Sequence, residues 1–224
     1  MASLAEACAL FLGLHWIISG SALRGVIVAR MGEKLFQRGF SLVVAISLVW
    51  MGWAYAHAPY WATWGKAVAL KPLSLALMAI AFLFFGVGAF AKNMSVLNQH
   101  KPDDVQVHGL IRITRNPALI GLGLWGMAHF IVNGDWAAHL MFGSFAWQGL
   151  IGPLNMEHKY RKRFGAAWDA FARQTSHLPF WAILTGRNRL VLREINGVLV
   201  VISLVAYAIV LYYHAAWFGA SPWP

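Results

Sequence analysis

Apolar and polar positions along this chain fall into long blocks, not into the short alternations of a soluble fold. Six apolar blocks approach the length of about 20 residues that a membrane-crossing helix needs. They are Leu4 to Ile18, Phe40 to Ala56, Pro72 to Phe90, Pro117 to Val132, Trp136 to Leu154 and Gly197 to Ala216. The first, second and fourth reach full length only with flanking residues. A seventh run, Leu178 to Leu184, is too short to cross and predicts a re-entrant or surface segment.

The polar stretches between the blocks test this count. Arg24, Arg30, Lys34 and Arg38 lie in the first, and Lys66 and Lys71 in the second. Lys92, Lys101, Arg112 and Arg115 lie in the third, and the fourth has no Lys or Arg. The fifth carries Lys159, Arg161, Lys162, Arg163, Arg173, Arg187, Arg189 and Arg193. Sixteen basic residues thus fall in odd-numbered loops and two in even-numbered ones. Basic residues gather in cytoplasmic loops, so this asymmetry predicts both termini outside the cytoplasm. Trp50, Trp53, Tyr55, Tyr60, Trp61, Trp64, Trp217 and Trp223 then form an outer interfacial belt. The largest polar piece, Asn155 to Ile195, contains Tyr160, Phe164, Trp168 and Phe171 at helical spacing among basic residues. That pattern predicts an amphipathic helix on the cytoplasmic surface, slightly weakened at Gly165.

The fold expected is therefore all-α: one polytopic helical bundle over 1–224, integral to a membrane, read as a bacterial inner membrane. Composition agrees. Of 224 residues, 59% are hydrophobic and 12% charged, and the mean hydropathy is +0.58. That balance excludes a disordered chain and a nucleic-acid tail. A net charge of +10 would suggest nucleic acid in a soluble protein, but here basic loops explain it and no nucleic-acid partner is expected. The single Cys8 allows no internal disulfide. The first residues lack the basic start of a signal peptide, so the first block is expected to remain as a helix.

Polar residues within spans are costly and so are functional candidates. His15 and His129 stand in apolar surroundings, and neutral imidazoles suit the two axial positions of a haem iron. A histidine bonded to a neighbouring helix is the commoner use of such a residue. Counted from the outer ends of their spans, the two differ in depth by about 12 Å. His139 is the best spare ligand. His57 and His214 sit at outer span ends, and His100, His108, His158 and His177 in cytoplasmic loops. No zinc-ligand spacing is present. Asn133-Gly134-Asp135 is a tight-turn sequence. Arg112 and Arg115 precede Pro117, where they either snorkel to headgroups or bind an anion at the helix start.

Several segments, in order and spacing, resemble the NnrU family of membrane proteins, most closely its ζ-carotene isomerase branch. They are Gly13-Leu14-His15 with Ser19, Leu23-Arg24, Arg30, Gly32-Glu33 and Phe40-Ser41-Leu42; then Gly109 to Pro117; then Trp125 to His129 with Asn133-Gly134-Asp135 and Phe142-Gly143; then Arg163-Phe164-Gly165, Thr175-Ser176, Pro179-Phe180 and Gly186-Arg187. The resemblance implies a haem b protein with two axial histidines, here His15 and His129, with Arg112 or Arg115 toward a propionate. It implies a lipid-soluble polyene substrate, cis-trans isomerisation and an electron donor. The chain departs from that branch at Gly126, where a ligand-exchanging cysteine is usual, and at Asn116, where a histidine is usual. Two alternatives follow. One is an NnrU-type haem protein that supports denitrification without isomerase activity. The other rests on Arg115-Asn116-Pro117, Glu157, Phe164 to Trp168 and Pro179-Phe180, which are similar to the integral membrane methyltransferases that use S-adenosylmethionine.

Overall fold

The computed structural model describes residues 1–91 and 102–223. Lys92, His100 and Lys101, assigned above to the third loop, lie outside the described residues. Within them the chain is helical, and its only bridge of extended backbone joins Ala62 to Asp135.

Helix α1 (Ala2–Gly13) runs into a π turn, Leu14–Ile18, and then bends by 80° into α2 (Leu23–Met31). The next junction, from α2 to the helix that follows, is closed by an ion pair, Arg24 Nη2 to Glu33 Oε1 at 2.5 Å. Helix α3 (Glu33–Ala56) has 24 residues, and α4 (Lys71–Phe90) has 20, entered through a 3-10 turn at Val68–Leu70 and Pro72 in its first turn. After a single turn, α5 (Leu110–Ile113), come α6 (Pro117–Val132) and α7 (Trp136–Leu150). Helices α8 (Gly152–Phe164) and α9 (Ala166–Gln174), the short α10 (Trp181–Leu184) and α11 (Gly197–Phe218) complete the chain.

The packing order across the bundle is α11, α4, α6, α7, α1, α3. Helices α6 and α7 approach at backbone distance because small residues line their seam. A Cβ at Gly126 would lie 2.6 Å from the Ala146 nitrogen. Ser74 of α4 ties itself to α6 by donating to the Ala128 carbonyl at 2.9 Å. The outer faces are the opposite: Leu42, Val49, Val198 and Val201 stand exposed on α3 and α11. Apolar faces turned outward along long helices are what a lipid solvent selects.

The count of six crossing helices is not reproduced. Among the described residues three helical stretches are long and apolar enough to cross, at Glu33–Ala56, Val68–Phe90 and Gly197–Phe218, and the bent pair Ala2–Ile18 with Leu23–Met31 makes up to four. The predicted fourth block forms its helix with the expected bounds, but its 16 residues reach about 24 Å against a hydrocarbon core of about 30 Å. The fifth is cut at Ile151, where Gly152-Pro153 opens α8, leaving 15 residues, or about 22 Å. Both are apolar because they are the buried centre of the bundle. Hydropathy alone does not separate that cause from membrane crossing.

The expected amphipathic helix is also two helices. Gly165 (φ 52°) takes a left-handed turn that ends α8 and starts α9, so Trp168 and Phe171 fold under onto Val105 and Ile111. The short run 178–184 holds only the single turn α10 and does not cross.

Candidate functional site

His129 sits one turn before the end of α6. Its Nδ1 lies 3.0 Å from the Trp125 carbonyl oxygen, which can only accept, so Nδ1 carries the proton and the neutral ring keeps its lone pair on Nε2. Phe142 of α7 stacks on the ring at 4.5 Å, nearly parallel. On another side stands His214 of α11, its ring 6.3 Å away and inclined by 22°.

These two histidines share a cavity of about 360 Å³ between α4, α6 and α11, whose polar groups include Lys66, Lys71, Ser74 and Tyr207. The carboxy-terminal residues fold over it. Gly219 reverses the chain, His214 Nδ1–H donates to the Ala220 carbonyl at 2.7 Å, and Lys71 Nζ donates to the carbonyls of Ser221 and Trp223. The floor is fixed by the turn Asn133-Gly134-Asp135. The Gly134 carbonyl accepts from the nitrogens of Thr63 and Gly65, and Asp135 caps α7 through Ala138 N at 2.9 Å.

His15 lies elsewhere, within the π turn that precedes the bend. Such turns are frequent at functional sites. Its Nδ1–H donates to the Phe11 carbonyl at 2.7 Å, and its ring packs on Phe11 and Phe40. Thus His15 and His129 hold the same tautomer, but they make no contact with each other. Helix α7 measures their offset. His129 rests on Phe142, whereas Trp16, next to His15, donates to Gln148 Oε1. Six residues of α7 are about 9 Å. The rings of Phe11, Phe145 and Trp125 stand in series between the two, at 5.3 Å and 5.1 Å. His139 is enclosed between Trp64 and Phe130, with its Nε2 buried and without a hydrogen bond. No cluster of three or more metal-ligating side chains occurs among the described residues.

Arg112 and Arg115 lie at the other end of α6, beyond Pro117, and the 12 residues from Pro117 to His129 span about 18 Å. Arg112 is bidentate to Glu194, at 2.6 Å and 2.9 Å, and donates to Asn188 Oδ1 at 2.8 Å. The guanidinium draws the Glu194 carboxyl down to about 2. Arg115 is buried, 3.2 Å from Glu157 Oε1, and donates to the Thr175 carbonyl. The sequence treats these arginines as equals, but the structure gives one to the loop before α11 and the other to the end of α9.

Sequence reasoning set His214 aside as an interfacial residue. One signal was available: His129 and His214 each lie two or three residues from the outer end of their predicted spans. Equal depth on two helices is the condition for meeting.

For haem, the fit is partial. His129 offers what an axial ligand requires: a neutral ring, a fixed tautomer, aromatic support and a cavity at its side. His15 offers the ring and the tautomer, away from that cavity.

Among the described residues, helices with apolar outer faces and a histidine beside a cavity of mixed polar and apolar lining define a membrane-type helical protein with a candidate ligand-binding centre. The family model described as NnrU protein matches residues 3–222, and the chain belongs to that family. It is similar to the chloroplastic 15-cis-zeta-carotene isomerase of Zea mays, 25% identical over 169 residues, covering 71% of this chain and 45% of the relative. The Arabidopsis thaliana protein of the same name is 27% identical over 178 residues, covering 75% and 47%. The chain therefore spans about half the length of these curated relatives. No solved structure matches.

Proposed function

We propose that this protein is a membrane-embedded isomerase-like member of the NnrU family, acting on a lipid-soluble polyene at haem b. The observation that carries this reading is His129: an imidazole held in one tautomer beside a cavity among apolar helices. It supports the resemblance to relatives named for isomerising 15-cis-zeta-carotene. In this reading His129 would hold the iron, with His15 as the second histidine that the resemblance implies. Haem iron would supply a coordination position that lowers the π order of a double bond without net oxidation.

The chain's own residues have separable tasks. Trp125 fixes the His129 tautomer through its carbonyl, and Phe142 holds the ring plane. The aromatic row Phe11, Phe145, Trp125 lines the interval between the histidines. Arg112 and Arg115 are the candidate contacts for a propionate on the side of His15. In this reading both termini lie outside the cytoplasm, which agrees with the basic loops if the bent pair counts as a fourth span. An electron donor would set the oxidation state of bound iron.

Incubation of the purified, dithionite-reduced protein with 15-cis-zeta-carotene, followed by chromatography of the isomers, tests the activity. Conversion that depends on haem and is lost in His129→Ala is the expected outcome. Haem binding without conversion would move the reading to a non-isomerase NnrU haem protein. Gly126 favours that second reading, because its Cβ position is filled by α7 and leaves no place for an exchangeable cysteine ligand.

A further inference from the structure

At the end of the molecule opposite His129, Arg115 is joined by three arginines that the sequence placed only in a basic loop. Arg115, Arg161, Arg173 and Arg187 line a pocket of about 380 Å³ together with Glu157 and Asp169. Four guanidinium groups face two carboxylates, so two positive charges are unmatched. Like charges brought this close repel, and the cost is larger where burial excludes water.

The partners show where the excess sits. Arg161 Nε pairs with Asp169 Oδ1 at 3.1 Å. Arg187 caps the end of α9, its Nη1 donating to the carbonyls of Ala172, Arg173 and Thr175. Arg115 faces Glu157 and lies over the Trp168 ring at 5.4 Å, yet its Nε is buried with no hydrogen bond. Glu157 Oε1 is likewise buried without a hydrogen bond, held by Arg115 through charge alone. Arg173 has no ion-pair partner among the described residues. Burial pushes the Arg115 guanidinium down, Glu157 opposes this, and Arg187 and Arg161 push it further down. A buried donor without an acceptor and two uncompensated charges around one cavity are satisfied together by a tetrahedral anion. Guanidinium forks match phosphate oxygens in charge and geometry.

We propose that the pocket formed by Arg115, Arg161, Arg173 and Arg187 binds a phosphate group, either free or carried by an anionic lipid headgroup. The site lies about 18 Å along α6 from His129, and with Arg115 committed to it the propionate contact of the proposed function falls to Arg112.

The test uses the full chain purified in detergent and then placed in nanodiscs. Inorganic phosphate is compared with chloride at equal ionic strength, and phosphatidylglycerol discs with phosphatidylcholine discs. The wild type should gain roughly 5 °C in unfolding temperature in at least one arm. A gain with inorganic phosphate assigns a free anion, and a gain with phosphatidylglycerol alone assigns a headgroup. The Arg161→Gln, Arg173→Gln double variant changes only solvent-exposed residues and should lose the gain while unfolding normally in chloride. Equilibrium dialysis with labelled phosphate gives a second reading on the wild type. No gain in either arm, or an equal gain in the double variant, would overturn the proposal.

Discussion

The two ends of α6 are built from different chemistry. At one end His129 is neutral, ringed by Trp125 and Phe142, and bonded only to its own helix. At the other, Arg112 and Arg115 are charged and tie together segments 60 to 82 residues away. A neutral donor-acceptor ring costs little in an apolar interior and remains available to a ligand. A buried charge is stable only when paired, so most of the arginines' capacity goes into holding loops. The histidine end is suited to ligation and the arginine end to architecture, with Arg115 Nε and Arg173 left over.

This contrast can be broken at its middle. Gly126 lets α6 and α7 touch, and Gly126→Ala must part them or strain the backbone. We predict a loss of about 2–3 kcal/mol in unfolding free energy, measured by denaturant titration in detergent. An unchanged stability would mean the seam is looser than its 2.6 Å approach implies. At the histidine end, Asp135→Ala removes the cap of α7 and should cost about 1 kcal/mol. The same titration checks it, and no loss would show the turn to be held by its backbone bonds alone. Ser74→Ala removes one buried bond between α4 and α6, and about 0.6 kcal/mol is expected, near the average for polar contacts between membrane helices.

The last test concerns the arginine end and is read as a change with pH. Glu194 has a folded-state value of about 2, below the ordinary 4.5. Its stabilisation is complete above about 4.5 and is lost as pH falls toward 2. In Glu194→Gln the decline in unfolding temperature across that window should be shallower than in the wild type. An identical decline would show that the Arg112 pair does not bias folding.

The sequence made the histidine end partly legible. Pro117 and the Asn133-Gly134-Asp135 turn bound α6 correctly, because helix starts and tight turns are local chemistry. The arginine end was not legible to the same degree, since the Arg112–Glu194 pair joins residues 82 apart. Hydropathy also read α6 and α7 as spans, for a helix buried among helices is as apolar as one facing lipid. The break at Gly165 was visible as a weak point, but its left-handed turn was not. His214 was missed because the meeting of α6 and α11 at one cavity depends on how both pack on α4.

The central claim is tested most directly by the visible absorption spectrum of the detergent-purified protein, oxidised and then reduced with dithionite, beside His129→Ala. We predict a stoichiometric Soret band with sharp reduced α and β bands in the wild type. In His129→Ala most of the haem should be lost, or a five-coordinate spectrum should appear. A colourless wild type after haem is supplied, or full occupancy with an unchanged spectrum in His129→Ala, would contradict it.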